Sequence, residues 1–402
     1  LKKWIFSLIF LSLLISGCGT KENGGSEPIN VSYEKEDYKK ILSANNQLGM
    51  DLISELDRDE AGNIFISPMS LMMALSMLYN GADGATKDEI AQVLHTNKMD
   101  VKELNEANAS LLAKLNKETD LIELNIANSM WIDKKYEFQT DFAETNKGYL
   151  NAEIQEIESA DIINNWVKKA TNNKIEEMVE DPLNPDLAAI LLNAIYFKGE
   201  WKYEFEKNET KDGDFTLNNG ETKKVPFMKM KEKLAYMENN DFQAVSLPYG
   251  DGEMSMKVFL PNENTSMGEF EQMLSTKNWE KWNSEFSESE GTVVLPKFEL
   301  EYEANLNEAL QNLGMPSAFS SEADLSKVIK NDGDFAVSDI KQKTFIEVNE
   351  KGTEAAAATS VEIVKMSLVE QPFYMDVNRP FFMAITDDET GMILFMGSIA
   401  HL

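Results

Sequence analysis

Apolar residues recur along this chain with two periods, and the switches between them mark out its elements. Over 38–56 the apolar set Ile41, Leu48, Met50, Leu52 and Ile53 gives an amphipathic helix. The block NIFISPMSLMMALSMLYNGADGATKDEI follows at 63–90, and after Pro68, which suits a first helical turn, it is apolar all round. A helix of that kind is buried inside a large protein. Gly81 and Gly84 break it, and Thr86 with Glu89 predicts a capping box for the next one. A strand is predicted over 128–132, and a helix over 162–178 with Trp166 and Val167 among its apolar residues. The run AAILLNAIYFKGEW at 188–201 reads as a fully buried strand in which one amide, Asn193, interrupts the apolar sequence. Strands and turns fill 213–260, another strand is expected over 291–300, and a helix over 306–315.

The stretch at 345–367, FIEVNEKGTEAAAATSVEIVKMS, supports two readings. By propensity its alanine run is helical. By period two, Thr353, Ala355, Ala357, Thr359, Val361 and Ile363 are all small or apolar. The interleaved Glu354, Ala356, Ala358, Ser360, Glu362 and Val364 hold every charge of that alternation, which is the pattern of a strand with one face to bury. No apolar stripe at helical spacing appears before Val361, so a helix would have little to pack against. Gly352 supplies the backbone freedom of a hinge. A segment that can pass from exposed loop to strand is what a switch requires.

The chain has 402 residues, 43% of them hydrophobic, with no internal repeat, so 37–402 reads as one large α+β domain. A formal charge of -31 argues against nucleic acid and against adhesion to an anionic membrane surface. Ahead of the domain, Lys2 and Lys3 precede a chargeless apolar run over 4–15 that ends in Leu14-Ile15-Ser16-Gly17-Cys18. This is the pattern of a bacterial signal peptide over 1–18, too short in its core to span a bilayer. Its end resembles a lipobox, which implies that Cys18 is acylated and becomes the mature first residue. The alternative is an ordinary cleaved signal with an incidental cysteine. Cys18 is the only cysteine, so no internal disulfide competes for it. Residues 19–36, rich in Gly, Ser, Glu and Asn, make a flexible linker. The resulting expectation is an extracytoplasmic protein held at the cell membrane or surface by its lipid alone.

Catalytic constellations are not evident. The two histidines, His95 and His401, would each need a serine and an acid to make a hydrolase, and no GxxxxGK[ST] or GxGxxG appears. No metal or cofactor is expected, and the protein is not read as an enzyme.

The run EVNEKGTEAAAATS, followed by VNRPFFMAI at 377–385 and joined by the block at 63–90, resembles the serpins, a family of protease inhibitors. The resemblance implies a single α+β domain with helices around a large mixed central sheet, smaller sheets, and an exposed reactive loop near the C-terminus. It implies an irreversible suicide inhibitor of serine proteases, with cysteine proteases as a further target class: the target cuts the loop, is held as an acyl-enzyme, and the freed segment inserts into the central sheet. A monomer is expected. In the family the cut falls about fourteen residues after the hinge glycine, which selects Met366-Ser367, with Lys365 as the alternative. Glu350, Gly352, Thr353, Glu354, Ala355, Ala356, Ala357, Ala358 and Thr359 would form the hinge. Ser67, Ser70, Asn193 and Gln342 would form the shutter, the polar cluster beneath the parting strands. Trp201 and Lys297 would lie at the breach above it, with Lys297 paired to Glu350 as a surface ion pair of about 1 kcal/mol or less. One departure stands out: Gln342 occupies a position where many serpins carry histidine, which keeps a hydrogen-bonding group and removes a titratable one. The alternative function is a non-inhibitory binding protein on the same fold.

Overall fold

The structure, a computed structural model, describes residues 31–115, 121–330, 335–353 and 372–402. After the helix α1 (Leu42–Glu55), which buries Leu48, Leu52 and Ile53, comes the short strand β1 (Ile64–Ile66). Ser67 then caps α2 (Pro68–Gly81): its hydroxyl accepts from the Ser70 N–H, and Pro68 fills the first turn. The capping box expected at Thr86 and Glu89 does not form. The next helix, α3 (Gly84–Val93), is capped by Asp83 instead. The Thr86 hydroxyl accepts from the Asp324 N–H, and Glu89 accepts from the Ser317 N–H and hydroxyl, so tertiary partners have taken both side chains.

Next come α4 (Val101–Leu115), β2 (Ile122–Asp133), α5 (Thr140–Leu150), β3 (Glu153–Ile157) and α6 (Ala160–Ala170). The last of these ends well short of the predicted 178, because Asn172 and Asn173 turn the chain at φ of 50° and 63°. Then follow β4 (Ala189–Glu200), β5 (Lys211–Thr216), β6 (Thr222–Glu238), β7 (Phe242–Tyr249) and β8 (Met254–Pro261). Two helices, α7 (Met267–Gln272) and α8 (Thr276–Glu285), lead to β9 (Ser287–Pro296) and β10 (Phe298–Asn305). The single strand expected over 291–300 is thus two strands, split at Lys297 and belonging to different sheets. The chain continues through α9 (Asn307–Asn312), β11 (Asp339–Asn349) and the two-residue β12 (Gly352–Thr353). It closes with β13 (Phe373–Asp376), β14 (Phe381–Asp387) and β15 (Met392–Ile399).

These strands form two sheets. One runs β10-β11-β12-β4-β2-β3, and β11 also pairs directly with β4; the other runs β1-β15-β14-β8-β7-β6-β9-β13, with β5 on β6. The apolar helix α2 lies against β15 of one sheet and against β4 and β2 of the other, which is why every side of it is apolar. A second, smaller core packs on the opposite face of the β4–β11 sheet. There Ile163 and Val167 of α6, and Ile175, Met178 and Val179 of the connection after it, cover Leu192, Tyr196 and Phe345.

Candidate functional site

The site is built where β11 and β4 meet. The two strands pair directly and in parallel from Asp339↔Ile190 to Phe345↔Tyr196. Above Phe345 they part, and β12 fills the gap: Thr353 pairs with Val348 on one side and Gly199 on the other, and Gly352 with Asn349 and Glu200. The chain leaves β11, turns at Glu350 and Lys351, and comes back down antiparallel to both neighbours. Only glycine fits the first place. Gly352 has φ of 154°, and a Cβ there would sit 2.1 Å from the Gly199 carbonyl oxygen.

Thr353 is fully buried, with its hydroxyl 2.7 Å from the Tyr249 phenol oxygen. Burial pushes that phenol's pKa far above its ordinary value, so it stays a neutral hydrogen-bonding group. Trp201 stacks on the Tyr249 ring at 4.3 Å, and its Nε1–H donates to the Asn349 carbonyl at 2.9 Å. Its backbone N–H donates to the Lys351 carbonyl at 2.7 Å. Trp201 therefore roofs the point where the hinge turns into the sheet.

Glu350 holds the same turn from the outside. Lys297 Nζ lies 3.0 Å from Glu350 Oε2, and the Thr210 hydroxyl donates to Oε1 at 2.9 Å. The expectation of a surface pair is corrected here, since the Glu350 side chain is only 10% exposed while that of Lys297 is 40% exposed. Burial pushes the carboxyl up, but the Lys297 ammonium, a backbone N–H and the Thr210 hydroxyl outweigh it, and the group ends below its ordinary value.

Below the gap, the four residues expected to form a cluster do meet. The strand register sets Gln342, Asn193 and Asn128 side by side across β11, β4 and β2. Gln342 Nε2 donates to Asn193 Oδ1 at 2.6 Å and to the Ser67 carbonyl at 3.0 Å, while its Oε1 accepts from the Ser67 N–H at 2.9 Å. Asn193 Nδ2 donates to Asn128 Oδ1 at 2.7 Å and contacts the Ser70 hydroxyl. The Ser67 hydroxyl donates to the Leu394 carbonyl at 2.7 Å, tying the cluster to the second sheet. The Gln342–Asn193 bond spans the seam itself, so nothing can pass between these strands without breaking it.

The seam is also covered from the α6 side. Lys343 Nζ donates to the Glu177 carbonyl at 2.8 Å and pairs with Glu301 at 2.7 Å and Glu303 at 3.2 Å. Burial would lower its pKa, but the two carboxylates more than reverse this and hold it charged. Lys341 Nζ reaches the Met178 carbonyl at 3.3 Å.

Asn128, Thr210, Tyr249 and Lys343 were not singled out by sequence reasoning. Asn128 had a signal, as an amide in a predicted strand, but only the register shows that it faces Asn193. The expected hinge residues Glu354, Ala355, Ala356, Ala357, Ala358 and Thr359, the reactive-bond residues Lys365, Met366 and Ser367, and Cys18 lie outside the described residues. His95 pairs with Asp51 at the surface, at 2.7 Å.

A parallel pair wedged open at its top by the chain's own hinge, with a polar lock beneath, can admit a strand. Residues 43–402 match the family model described as serpin (serine protease inhibitor). The chain belongs to the serpin family. Human leukocyte elastase inhibitor is 35% identical over 380 residues, covering 89% of this chain and 98% of that one. Among solved structures, the thermophilic serpin tengpin in its native state superposes with a TM-score of 0.83 at 32% identity, over 94% of this serpin and 96% of tengpin. Human thyroxine-binding globulin, solved in complex with thyroxine, gives a TM-score of 0.81 at 26% identity, over 91% of this serpin and 99% of that chain.

Proposed function

We propose that this serpin is an irreversible suicide inhibitor of serine proteases, which holds the acyl-enzyme by drawing the cut loop into the seam between β11 and β4. The observation that carries the reading is the place of Gly352 and Thr353, already threaded between the two strands that would part. Their register can be continued. It brings Thr359 between Gln342 and Asn193, and Glu362 beside Asp339 at the foot of β11, so residues 354 through 362 add nine positions to the two already made. Thr353 faces inward, which puts Ala355, Ala357, Thr359 and Val361 on the buried side.

Insertion exchanges one parallel ladder for two antiparallel ones, a net gain of about one ladder at about 0.5–1.5 kcal/mol per bond. It also carries the loop from Thr353 to Met366 down the sheet by roughly 43 Å, at about 3.3 Å per residue. A domain of this size is about 50 Å across, so an attached protease travels from one pole to the other. The acyl bond stays intact during that transit only if insertion outruns hydrolysis.

The test is to mix the protein with elastase-, chymotrypsin-, subtilisin- and trypsin-like proteases. A complex that survives hot detergent, with a higher melting temperature after loop cleavage, supports trapping. A second reading, a binding protein on the serpin fold, has in its favour the likeness to thyroxine-binding globulin. It would show a cleaved product with no complex and unchanged stability. We further propose that the chain is anchored outside the cytoplasm through Cys18, which fatty-acid labelling lost in Cys18→Ser would support.

A further inference from the structure

We propose that the open edge of β2, in the cavity between α5 and α6, binds a short apolar oligopeptide as an added strand. The site lies on the outer side of β2, away from the seam, and does not depend on trapping.

The edge follows from the register. β2 pairs with β4 from Ile122↔Gly199 to Ile132↔Ala189, but with β3 only from Ser129↔Glu153 to Asp133↔Ile157. Asn151 turns the chain out of α5 at φ of 49°, and β3 begins two residues later, too far along to cover more of β2. Among the described residues, no strand lies outside β2 from Leu124 to Asn128. The Glu200 N–H donates to the Leu121 carbonyl, so Glu123, Asn125 and Ala127, at even spacing from Leu121, aim their peptide groups at β4. Leu124 and Ile126 therefore aim theirs outward. Such a row of N–H and C=O groups is a template for another strand.

Beside that edge is a recess. A cavity of about 600 Å³ lies against Ile126 and Ala127, walled by Ala143 and Glu144 of α5 and by Trp166 and Lys169 of α6. Cavities of about 300–1,000 Å³ are the size that takes small ligands. The open stretch of β2 is about 13 Å long at about 3.3 Å per residue, which is room for about four residues.

The walls select what those residues are. Ile126 packs with the larger core, and Ala127 and Trp166 with the smaller one. Side chains of an added strand alternate between the same two faces, so they would meet apolar neighbours on both. Trp166 is mounted edge-on against the buried Trp131, at 6.1 Å and 77°, and the Trp131 Nε1–H is itself held by Ser129 Oγ at 2.9 Å. Glu144 and Lys169, one on each helix, have no hydrogen-bond or ion-pair partner among the described residues. They complement the ammonium and the carboxylate of a free peptide, which favours a whole oligopeptide over a loop of a folded protein.

The experiment titrates the full chain with the tetrapeptide Ala-Val-Ala-Val, followed by calorimetry and tryptophan fluorescence. Two further versions carry a backbone N-methyl group, one at the second residue and one at the third. Only one edge of the peptide can pair with β2. The expected result is saturable binding that one N-methyl peptide loses by about tenfold and the other keeps. Ile126→Pro, which removes an N–H that β4 does not use, should weaken the unmethylated peptide by about tenfold, with the melting temperature showing that the variant folds. The fluorescence change should vanish in Trp166→Phe, and Lys169→Gln should weaken the free acid while leaving the C-terminal amide unchanged. Absence of saturable binding would overturn the proposal, as would equal binding of both N-methyl peptides, since no ladder would then form. So would loss of both, because a peptide paired on both edges would lie in the seam between β4 and β11. An acetylated, amidated peptide bound as tightly as the free one would overturn the choice of occupant.

Discussion

Replacing Thr353 by arginine puts a guanidinium into a slot closed to solvent. The buried side chain there touches the Tyr249 phenol, with Trp201 stacked behind it. Two responses are open to the variant. Leaving the sheet gives up four cross-strand pairings, to Val348, Asn349, Gly199 and Glu200, and at about 0.5–1.5 kcal/mol per bond this costs about 4 kcal/mol. Staying costs several kcal/mol for desolvating an unpaired charge and about 1–3 kcal/mol more for overpacking. Withdrawal is the cheaper response. The intact variant should therefore fold, with a modestly lower melting temperature, and its hinge should be open to proteolysis. It should also be cut by target proteases without trapping them, because the same arginine bars the first step of insertion. The assay is the ratio of detergent-stable complex to cleaved inhibitor, run beside thermal melts of the intact and cleaved forms. Complex formed at the parent's ratio, or a parental gain of stability on cleavage, would refute the placement of Thr353 as an inward residue of the sheet.

Three further predictions bear on the same seam. Glu350 has a folded pKa below its ordinary value, so its contribution is present above about pH 4.5 and is lost as pH falls through the lowered value. Melting curves should accordingly show Glu350→Gln less stable than the parent by about 1–3 kcal/mol at neutral pH, with the difference closing in acid. Lys343→Ala frees the Glu177 carbonyl, so hydrogen exchange over 171–188 should quicken while α2 remains protected. Thr359→Val should leave the melting temperature of the intact protein unchanged and lower that of the cleaved protein, by about 1–3 kcal/mol in stability, because on the proposed insertion the continued register would set its hydroxyl between Gln342 and Asn193, which pair directly with each other in the intact protein.

Much of this arrangement was legible as residue types. Pro68 after Ser67 marked the start of α2, the lone amide in 188–201 marked Asn193, and period two across Thr353 gave the face that the structure buries at its first position. What the sequence withheld was register. Nothing local distinguishes Asn128 from any other strand amide until β2 is laid beside β4, and Tyr249 gains a role only when the hinge is brought beneath it. Local signals also failed where distant partners competed. Thr86 and Glu89 have the spacing of a cap, yet Asp324 and Ser317 claimed them, while the pair Asn172 and Asn173, which ended α6, was a readable stop. The single strand read across 291–300 hid a change of sheet at Lys297, whose one-residue link places its ammonium over Glu350.

The row that crosses the seam from Ser67 through Gln342 and Asn193 to Asn128 is made of hydroxyls and amides alone. No side chain in that row titrates, so this part of the fastening between the two strands is insensitive to acid. The clasp at Glu350 above it does respond: acid that protonates this carboxylate loosens the turn and leaves the row beneath intact.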